Sequence, residues 1–235
     1  MLLGGLQKTT LIDFPGRVAC TVFTVGCNFR CPFCHNKDLV SLELFKKTKL
    51  QPISEDYFFE FLEKRKKILD GVCITGGEPS LQKDLPQFCK KIKSLGLEVK
   101  LDTNGSNPKM LEKLIKKETI DFISMDVKTV FEEYKKAIGI QYPVSSIKES
   151  IKLILRSGLE YEFRTTIVPG IHDKGTMVKL AKDLKEIVKL NYVFQQFRPK
   201  NCLDPKYLKM RPFSSQEMQD ILKSVQRILP NTKLR

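Results

Sequence analysis

Gly26-Cys27-Asn28-Phe29-Arg30-Cys31-Pro32-Phe33-Cys34-His35-Asn36 carries three thiols in the spacing C-x3-C-x2-C. Cysteines this close can converge on one face of a loop and hold a metal centre. A structural zinc site wants four ligands in a closed shell. A [4Fe–4S] cluster normally takes four cysteines. A cluster held only by Cys27, Cys31 and Cys34 leaves one iron open, which points to a working centre. Three plainer readings stand beside it. One is a zinc site of these cysteines with His35, whose ring would have to fold back onto the same ion. The others are a disulfide plus a spare thiol, and a chance cluster of buried thiols.

A second motif follows a short apolar run. Val72-Cys73-Ile74-Thr75 reads as a buried strand, and Gly76-Gly77-Glu78-Pro79 comes directly after it. Paired glycines at a strand end let the backbone approach a ligand closely, and Glu78 beside them could hold an ammonium group. Alone, this stretch reads as a turn; one strand after the cysteine triplet, it belongs to a constellation.

Outward from these motifs, strand-like runs alternate with amphipathic segments. The strands fall at 18–25, 71–75, 98–102, 122–126, 161–168 and 192–197, the helices at 54–69, 85–95, 108–117, 145–157, 174–190 and 214–229. Ser214 with Glu217 three residues on predicts a capping box. Regular β-then-α alternation argues for a parallel sheet with helices outside it. Six units are too few for a closed eight-unit barrel. The polar residues recur at strand ends: Asp102-Thr103-Asn104 at the third, Asp126 at the fourth and Arg164 within the fifth. Sites in parallel α/β folds gather at the C-terminal ends of strands. Each residue alone has a plain explanation as a turn or cap, but recurrence at successive ends argues for one mouth.

The 235 residues are 41% hydrophobic, enough for a sizeable core. They contain no run of about 18 apolar residues, the length of a membrane span, and the first residues do not read as a signal peptide. Seven cysteines, an odd number without disulfide-like scatter, fit a reducing cytoplasm. Cys20, Cys73 and Cys89 read as core thiols, and Cys202 lies in a loop with no assigned role. The net charge of +14 raises nucleic acid or an acidic partner. The lysines are mostly dispersed, however. Lys179, Lys182, Lys185 and Lys189 lie opposite Leu180, Leu184, Ile187 and Val188, a solvated helix face. Lys64-Arg65-Lys66-Lys67 ends another helix, where positive charge suits the dipole. No aromatic-rich basic stretch offers stacking for bases, so nucleic acid is not the expected partner. The expected organisation is one domain over 1–235, with an N-terminal extension at 1–16, a core at 17–200 and a C-terminal helix at 214–229.

The cysteine triplet, with Phe33 just before its third thiol, and Gly76-Gly77-Glu78-Pro79 resemble the two signatures of the radical S-adenosylmethionine (SAM) superfamily. Further stretches resemble its glycyl-radical-enzyme activases, in particular the anaerobic ribonucleoside-triphosphate reductase activating type, similar to pyruvate formate-lyase activating enzymes. They are Ile12-Asp13-Phe14-Pro15-Gly16-Arg17, Cys34-His35-Asn36, Asp102-Thr103-Asn104-Gly105, Met125-Asp126-Val127-Lys128, Arg164–Gly170 and Gln195–Pro199. The resemblance implies a partial, open (β/α)6 barrel and one [4Fe–4S] cluster on Cys27, Cys31 and Cys34. It implies reductive cleavage of SAM to methionine and a 5′-deoxyadenosyl radical, which takes a hydrogen atom from a glycine of a partner enzyme. It places Gly76, Gly77 and Glu78 at the methionine amine and the backbone near Phe33 at the adenine. It places Asp102, Thr103 and Asp126 beside a monovalent cation, with Asn104 on the same strand end. Lys128 and Arg164 would balance the SAM carboxylate or contact the partner. A flavodoxin or ferredoxin would supply electrons. The alternatives are a radical SAM enzyme acting on a small molecule, such as a deazapurine synthase, and a metal-binding module without catalysis.

Overall fold

Apolar runs and amphipathic segments assemble around one eight-stranded sheet in the computed structural model, which describes residues 1–185 and 191–235. The strands are β1 (Leu3–Thr10), β2 (Ala19–Thr24), β3 (Gly71–Gly76), β4 (Glu98–Thr103), β5 (Phe122–Asp126), β6 (Glu160–Ile167), β7 (Tyr192–Gln196) and β8 (Lys233–Leu234). Their spatial order follows the sequence. β1 runs antiparallel to β2, and every later neighbour is parallel. β1 and β8 are the two edges and do not meet, so the sheet curls into an open, partial barrel.

Helices α1 (Leu42–Lys46) and α2 (Glu55–Arg65) join β2 to β3, α3 (Leu85–Ser94) joins β3 to β4, and α4 (Pro108–Lys116) joins β4 to β5. Then α5 (Tyr134–Ile138) and α6 (Val144–Arg156) lead to β6, α7 (Lys174–Lys185) follows β6, and α8 (Ser215–Gln226) follows β7. Their starts are written in short polar side chains. Ser54 accepts from Tyr57 N, and Asn107 accepts from Met110 N. Ser214 and Glu217 form the expected capping box, each such cap contributing on the order of 1 kcal/mol. No helix among the described residues is long and apolar enough to cross a membrane.

Alternation along the strands separates two environments. Val99 and Leu101 on β4, Ile123 and Met125 on β5, and Phe163 on β6 join the core with Phe88, Ile92, Leu111 and Ile151 of the helices. Burying each such side chain stabilises the fold by about 1.5–3 kcal/mol. The intervening positions face the barrel interior, and most are polar, such as Asp102, Ser124, Asp126, Glu162 and Arg164; even Lys100 is fully buried. Phe14, Ala19 and Phe122 form a small apolar cluster of their own, with the two phenyl rings edge to face at 5.8 Å.

The six expected strands are all present, and the expected helices match within a few residues, except that the second half of 174–190 lies partly outside the described residues. On that helix Lys179, Lys182 and Lys185 are exposed while Leu180 and Leu184 are buried; Ile187, Val188 and Lys189 are not among the described residues. Two strands are additions. Residues 1–16 are more than an extension, because β1 pairs with β2 along its length. Its sequence, Leu-Gly-Gly-Leu-Gln-Lys-Thr-Thr, lacks the β-branched alternation of a half-buried strand. β8 is too short to carry a signal.

Candidate active site

The C-terminal strand ends and the loops after them enclose a cavity of about 430 Å³. Every side chain singled out above lines it: Cys27, Cys31, Cys34, Phe33, Gly76, Gly77, Glu78, Asp102, Thr103, Asn104, Asp126, Lys128 and Arg164. His35 lines it too, but its ring is engaged elsewhere. His35 Nε2 meets Arg198 O at 2.7 Å, and the ring stacks on Phe197 with centroids 5.8 Å apart. That orientation argues against His35 as a zinc ligand. Among the described residues, no three His, Cys, Asp or Glu side chains are set to hold a single metal ion. Cys27, Cys31 and Cys34 nevertheless line one cavity.

The cysteine loop is pinned at both ends. Gly26 and Cys27 donate their N–H groups to Leu39 O and Val40 O at 2.8 and 2.9 Å, and Arg30 N–H donates to Ile138 O at 2.8 Å. Burial pushes the Cys27 thiol up to about 11, aided by Glu78, and pushes Cys31 up to about 12. Burial raises the core thiols Cys20 and Cys89 as much; what distinguishes Cys27, Cys31 and Cys34 is that they share one cavity, where a bound cation would compensate their deprotonation. Phe29 N–H and the Asn104 side-chain amide already point at Cys27 Sγ, at 3.3 and 3.9 Å. The donor set thus fits an iron–sulfur cluster.

The glycine pair serves the loop more than a ligand. Gly76 sits at φ +115°, where a Cβ would lie 2.4 Å from Thr24 N. A Cβ on Gly77 would lie 2.3 Å from Gly26 O. Gly77 N–H and Glu78 N–H donate to Thr24 O and Gly26 O, both at 2.8 Å. The end of β3 is thus pressed backbone to backbone against the root of the cysteine loop. The sequence reading expected this close approach from a ligand; the neighbouring chain provides it.

Glu78 is fully buried and ties three elements together. Its Oε1 accepts from Ser80 N at 3.0 Å and from Thr103 Oγ1 at 2.8 Å, and its Oε2 accepts from Asn104 N at 2.6 Å. Burial raises its pKa, and these donors pull it back. A carboxylate offers about four acceptor positions, so one on Oε2 remains for a ligand cation. Asn104 carries the link onward, donating to Asn28 Oδ1 at 3.1 Å.

The cavity floor is a lattice of buried charges. Arg164 Nε donates to Asp126 Oδ1 at 2.9 Å and its NH1 to Asp102 Oδ2 at 3.2 Å. Lys128 donates to Asp126 Oδ2 at 2.8 Å, and Lys100 donates to Asp102 Oδ1. Deeper in the barrel, Glu162 accepts from Ser124 at 2.9 Å and from Arg235 NH2 at 2.8 Å. Burial works to raise Asp102 and Asp126, but Arg164 with Lys100 and Lys128 outweighs it and holds both below the usual carboxylate range. Asp102 and Asp126 line the cavity with Asp13 and Glu78, and Lys128 and Arg164 are the cations that line it, while Lys100, Glu162 and Arg235 lie behind them. Thr103, meanwhile, donates to Glu78. Asp102, Thr103 and Asp126, the residues expected around a monovalent cation, are thus each hydrogen-bonded to other side chains.

Several members of this site carried no signal in the sequence. Lys100 and Glu162 lie on strand faces that alternation alone would assign to solvent. His172 holds the lattice from behind, accepting from Val168 N at 2.9 Å through Nδ1 and reaching Lys128 O at 2.9 Å through Nε2. Asn36 was quoted as part of a motif without a role; its side-chain amide donates to Gly76 O at 3.0 Å.

Comparison with known proteins agrees with this geometry. Residues 21–184 match the Radical SAM superfamily. A candidate glycyl-radical enzyme activating enzyme of Methanocaldococcus jannaschii is 32% identical, over 100% of this chain and 95% of that protein. The pyruvate formate-lyase-activating enzyme of Streptococcus mutans is 28% identical over 79% of this chain and 73% of its own. Among solved structures, a radical SAM methyltransferase from Sphaerobacter thermophilus superposes with a TM-score of 0.69 at 13% identity, covering 94% of this chain and 67% of that one.

Proposed function

The chain belongs to the radical SAM superfamily, and from that premise we propose that it is a glycyl-radical-enzyme activase using a [4Fe–4S] cluster on Cys27, Cys31 and Cys34. The observation that carries this reading is the cavity itself: three thiols, a buried carboxylate with one acceptor position left, and the cations Lys128 and Arg164 share about 430 Å³. Similarity to activating enzymes over nearly the whole chain supports the activase reading over its alternatives. The partner we propose is an anaerobic ribonucleoside-triphosphate reductase, and the setting cytoplasmic.

The bound cluster, once reduced by one electron, supplies SAM cleavage to methionine and a 5′-deoxyadenosyl radical, which takes a hydrogen atom from the partner's glycine. The chain's own residues bind and orient. Glu78 Oε2 accepts from the ammonium of the methionine moiety, in a charge-assisted bond that contributes about 1.5–3 kcal/mol. Arg164 and Lys128 supply the positive potential for its carboxylate. The open edge between β1 and β8 leaves room for an extended loop of a protein substrate.

The test is direct. Anaerobically reconstituted protein should hold about four irons and four sulfides, and lose them when Cys27, Cys31 or Cys34 becomes Ala but not when Cys20, Cys89 or Cys202 does. With SAM, a reductant and the partner reductase, electron paramagnetic resonance should show a glycyl-radical doublet. Zinc in place of iron defeats the cluster; deoxyadenosine release stimulated by a small metabolite and by no glycyl-radical enzyme defeats the activase.

A further inference from the structure

The segment that follows β7 lies over the cysteine loop. Asp204 N–H donates to Pro32 O at 2.8 Å, and the Asn201 side-chain amide donates to His35 O at 3.0 Å and Asp38 Oδ2 at 3.2 Å. Tyr207 packs its ring against Phe33 and Phe197, with centroids 6.4 and 6.2 Å apart. Asn201 adopts a left-handed φ of +55°, a conformation that asparagine tolerates better than most residues. The segment is therefore anchored to the residues flanking Cys31 and Cys34.

Its outer surface is basic. Arg198, Lys200, Lys206 and Lys209 are all exposed. The nearest acids are engaged: Asp38 by Asn201, and Asp204 by the backbone N–H of Lys206 at 2.9 Å. Among the described residues none of these four cations is ion-paired. Among the described residues Lys90, Lys109, Lys113 and Lys152 on the helices are likewise exposed without an ion pair, so what sets Arg198, Lys200, Lys206 and Lys209 apart is their place on a segment bonded to the residues around the cysteine loop. Leu208 stands 41% exposed within the basic patch. Unneutralised charge around a small apolar centre is what a brief, electrostatically steered encounter uses, and electron-transfer contacts are of this small, transient kind.

A cluster at Cys27, Cys31 and Cys34 must draw its electron from outside the chain. The remaining cysteines are dispersed, and among the described residues they offer no second cluster as a relay. We infer that Arg198, Lys200, Lys206 and Lys209, with Leu208 between them, form the docking surface for a small acidic electron-carrier protein, which delivers one electron across this segment to the cysteine loop. The inference rests on the cluster reading above. With a flavin hydroquinone anion as donor, the carrier becomes the neutral semiquinone, the cluster gains that electron, and no proton changes hands.

The probe is a bacterial flavodoxin. Its oxidised form is titrated into the full chain, prepared both without iron and with it, at low and at high salt. The wild type should bind at low salt and weaken as salt rises. Reversing all four charges (Arg198→Glu, Lys200→Glu, Lys206→Glu, Lys209→Glu) should weaken binding by on the order of tenfold or more, and the same four changed to Gln should give a smaller loss. Reversing Lys90, Lys109, Lys113 and Lys152 on α3, α4 and α6 should have little effect. Reduction by flavodoxin hydroquinone should slow in the first variant, while dithionite-driven SAM cleavage stays as in the wild type. No binding by the wild type, or equal losses from both reversals, overturns the inference. Unchanged flavodoxin binding with a loss of dithionite-driven glycyl-radical yield also overturns it, and assigns the patch to the glycyl-radical enzyme. Because binding is measured without iron, a failure of the cluster reading shows itself separately, as iron that never loads.

Discussion

His172→Gln should remove most of one arm of the protein's pH dependence without removing its hydrogen bonds. His172 Nδ1 accepts the Val168 N–H, so the ring proton sits on Nε2 and points at Lys128 O. A second proton would set N–H against N–H in a site that is 2% exposed. Burial accordingly lowers its pKa from 6.5 to about 4. Between those values the unfolded chain binds a proton that the folded chain refuses, so stability rises with pH there. The contribution is complete above about pH 6.5 and is lost as pH falls toward 4. A gap of about 2.5 units at 1.36 kcal/mol each gives a loss of roughly 3 kcal/mol across the window. Asp102 and Asp126, held low by Arg164, titrate in a separate window; they stabilise above the ordinary carboxylate range and lose that contribution only below it. Glu78, with its pKa raised, opposes His172 near the acid end, but it is present in both proteins and cancels in their difference. Glutamine keeps one acceptor and one donor but does not titrate. The assay is urea unfolding of iron-free, reduced protein at pH steps from 8 to 4, comparing wild type and His172→Gln. Parallel curves over pH 6.5 to 4.5 would refute the assignment of a neutral, doubly bonded His172.

Arg164→Ala removes the side chain shared by two buried carboxylates, each of which keeps a lysine. About 3 kcal/mol of stability should go, toward the lower end of the cost of breaking a buried ion pair, and SAM affinity should fall while iron content holds; denaturant titration and equilibrium dialysis report both. Glu78→Gln turns an amide N–H₂ toward a donor, Asn104 N–H on one side or Ser80 N–H and Thr103 on the other. The iron-free protein should lose about 1–3 kcal/mol and bind SAM more weakly, and unchanged midpoints and affinity would leave Gly76–Pro79 a plain turn. Gly77→Ala forces a methyl into Gly26 O, so iron loading should fall with a destabilisation of about 1–3 kcal/mol, measured by iron analysis beside thermal melts.

Much of the fold could be read from the chain because it is built on strand runs such as Val72–Thr75 and Phe122–Asp126, closed by polar residues at one end. The cavity's membership was legible for the same reason: parallel strands carry their C-terminal residues to one mouth. What stayed hidden was how those residues are spent. Asp102, Thr103 and Asp126 look available in sequence, but Lys100, Lys128, Arg164 and Glu78 already take them up. The Arg164 and Glu78 contacts span strands, while Lys100 and Lys128 each reach a carboxylate two residues away on their own run; neither kind stands out in the sequence. Lys100 shows why. The alternation Val99-Lys100-Leu101-Asp102 normally marks a strand with one wet face; in a barrel the second face is interior, so the polar positions are buried and must find one another.

That burial also explains why the site needs a lattice and not a single ion pair. A lone charge in the barrel would carry a desolvation cost of several kcal/mol, and each added partner offsets part of it. The chain runs from Arg235 through Glu162 to Arg164, where Glu162 Oε1 and Arg164 NH1 stand 3.9 Å apart, then on to Asp102 and Asp126 and up to Lys128 at the cavity wall. His172 fixes the backbone of its last member. Orientation at the cavity is thus set from below and behind, by groups that never touch the ligand, while the cysteine loop is held from the front by β3 and by the segment after β7. The thiols and the charged floor rest on different supports, joined through Glu78 and Asn104, so a substitution deep in the floor should leave the cysteine loop largely in place. That difference is why Arg164→Ala can lower SAM affinity with its iron retained, whereas Gly77→Ala, beside Glu78, should lower iron loading and SAM affinity together.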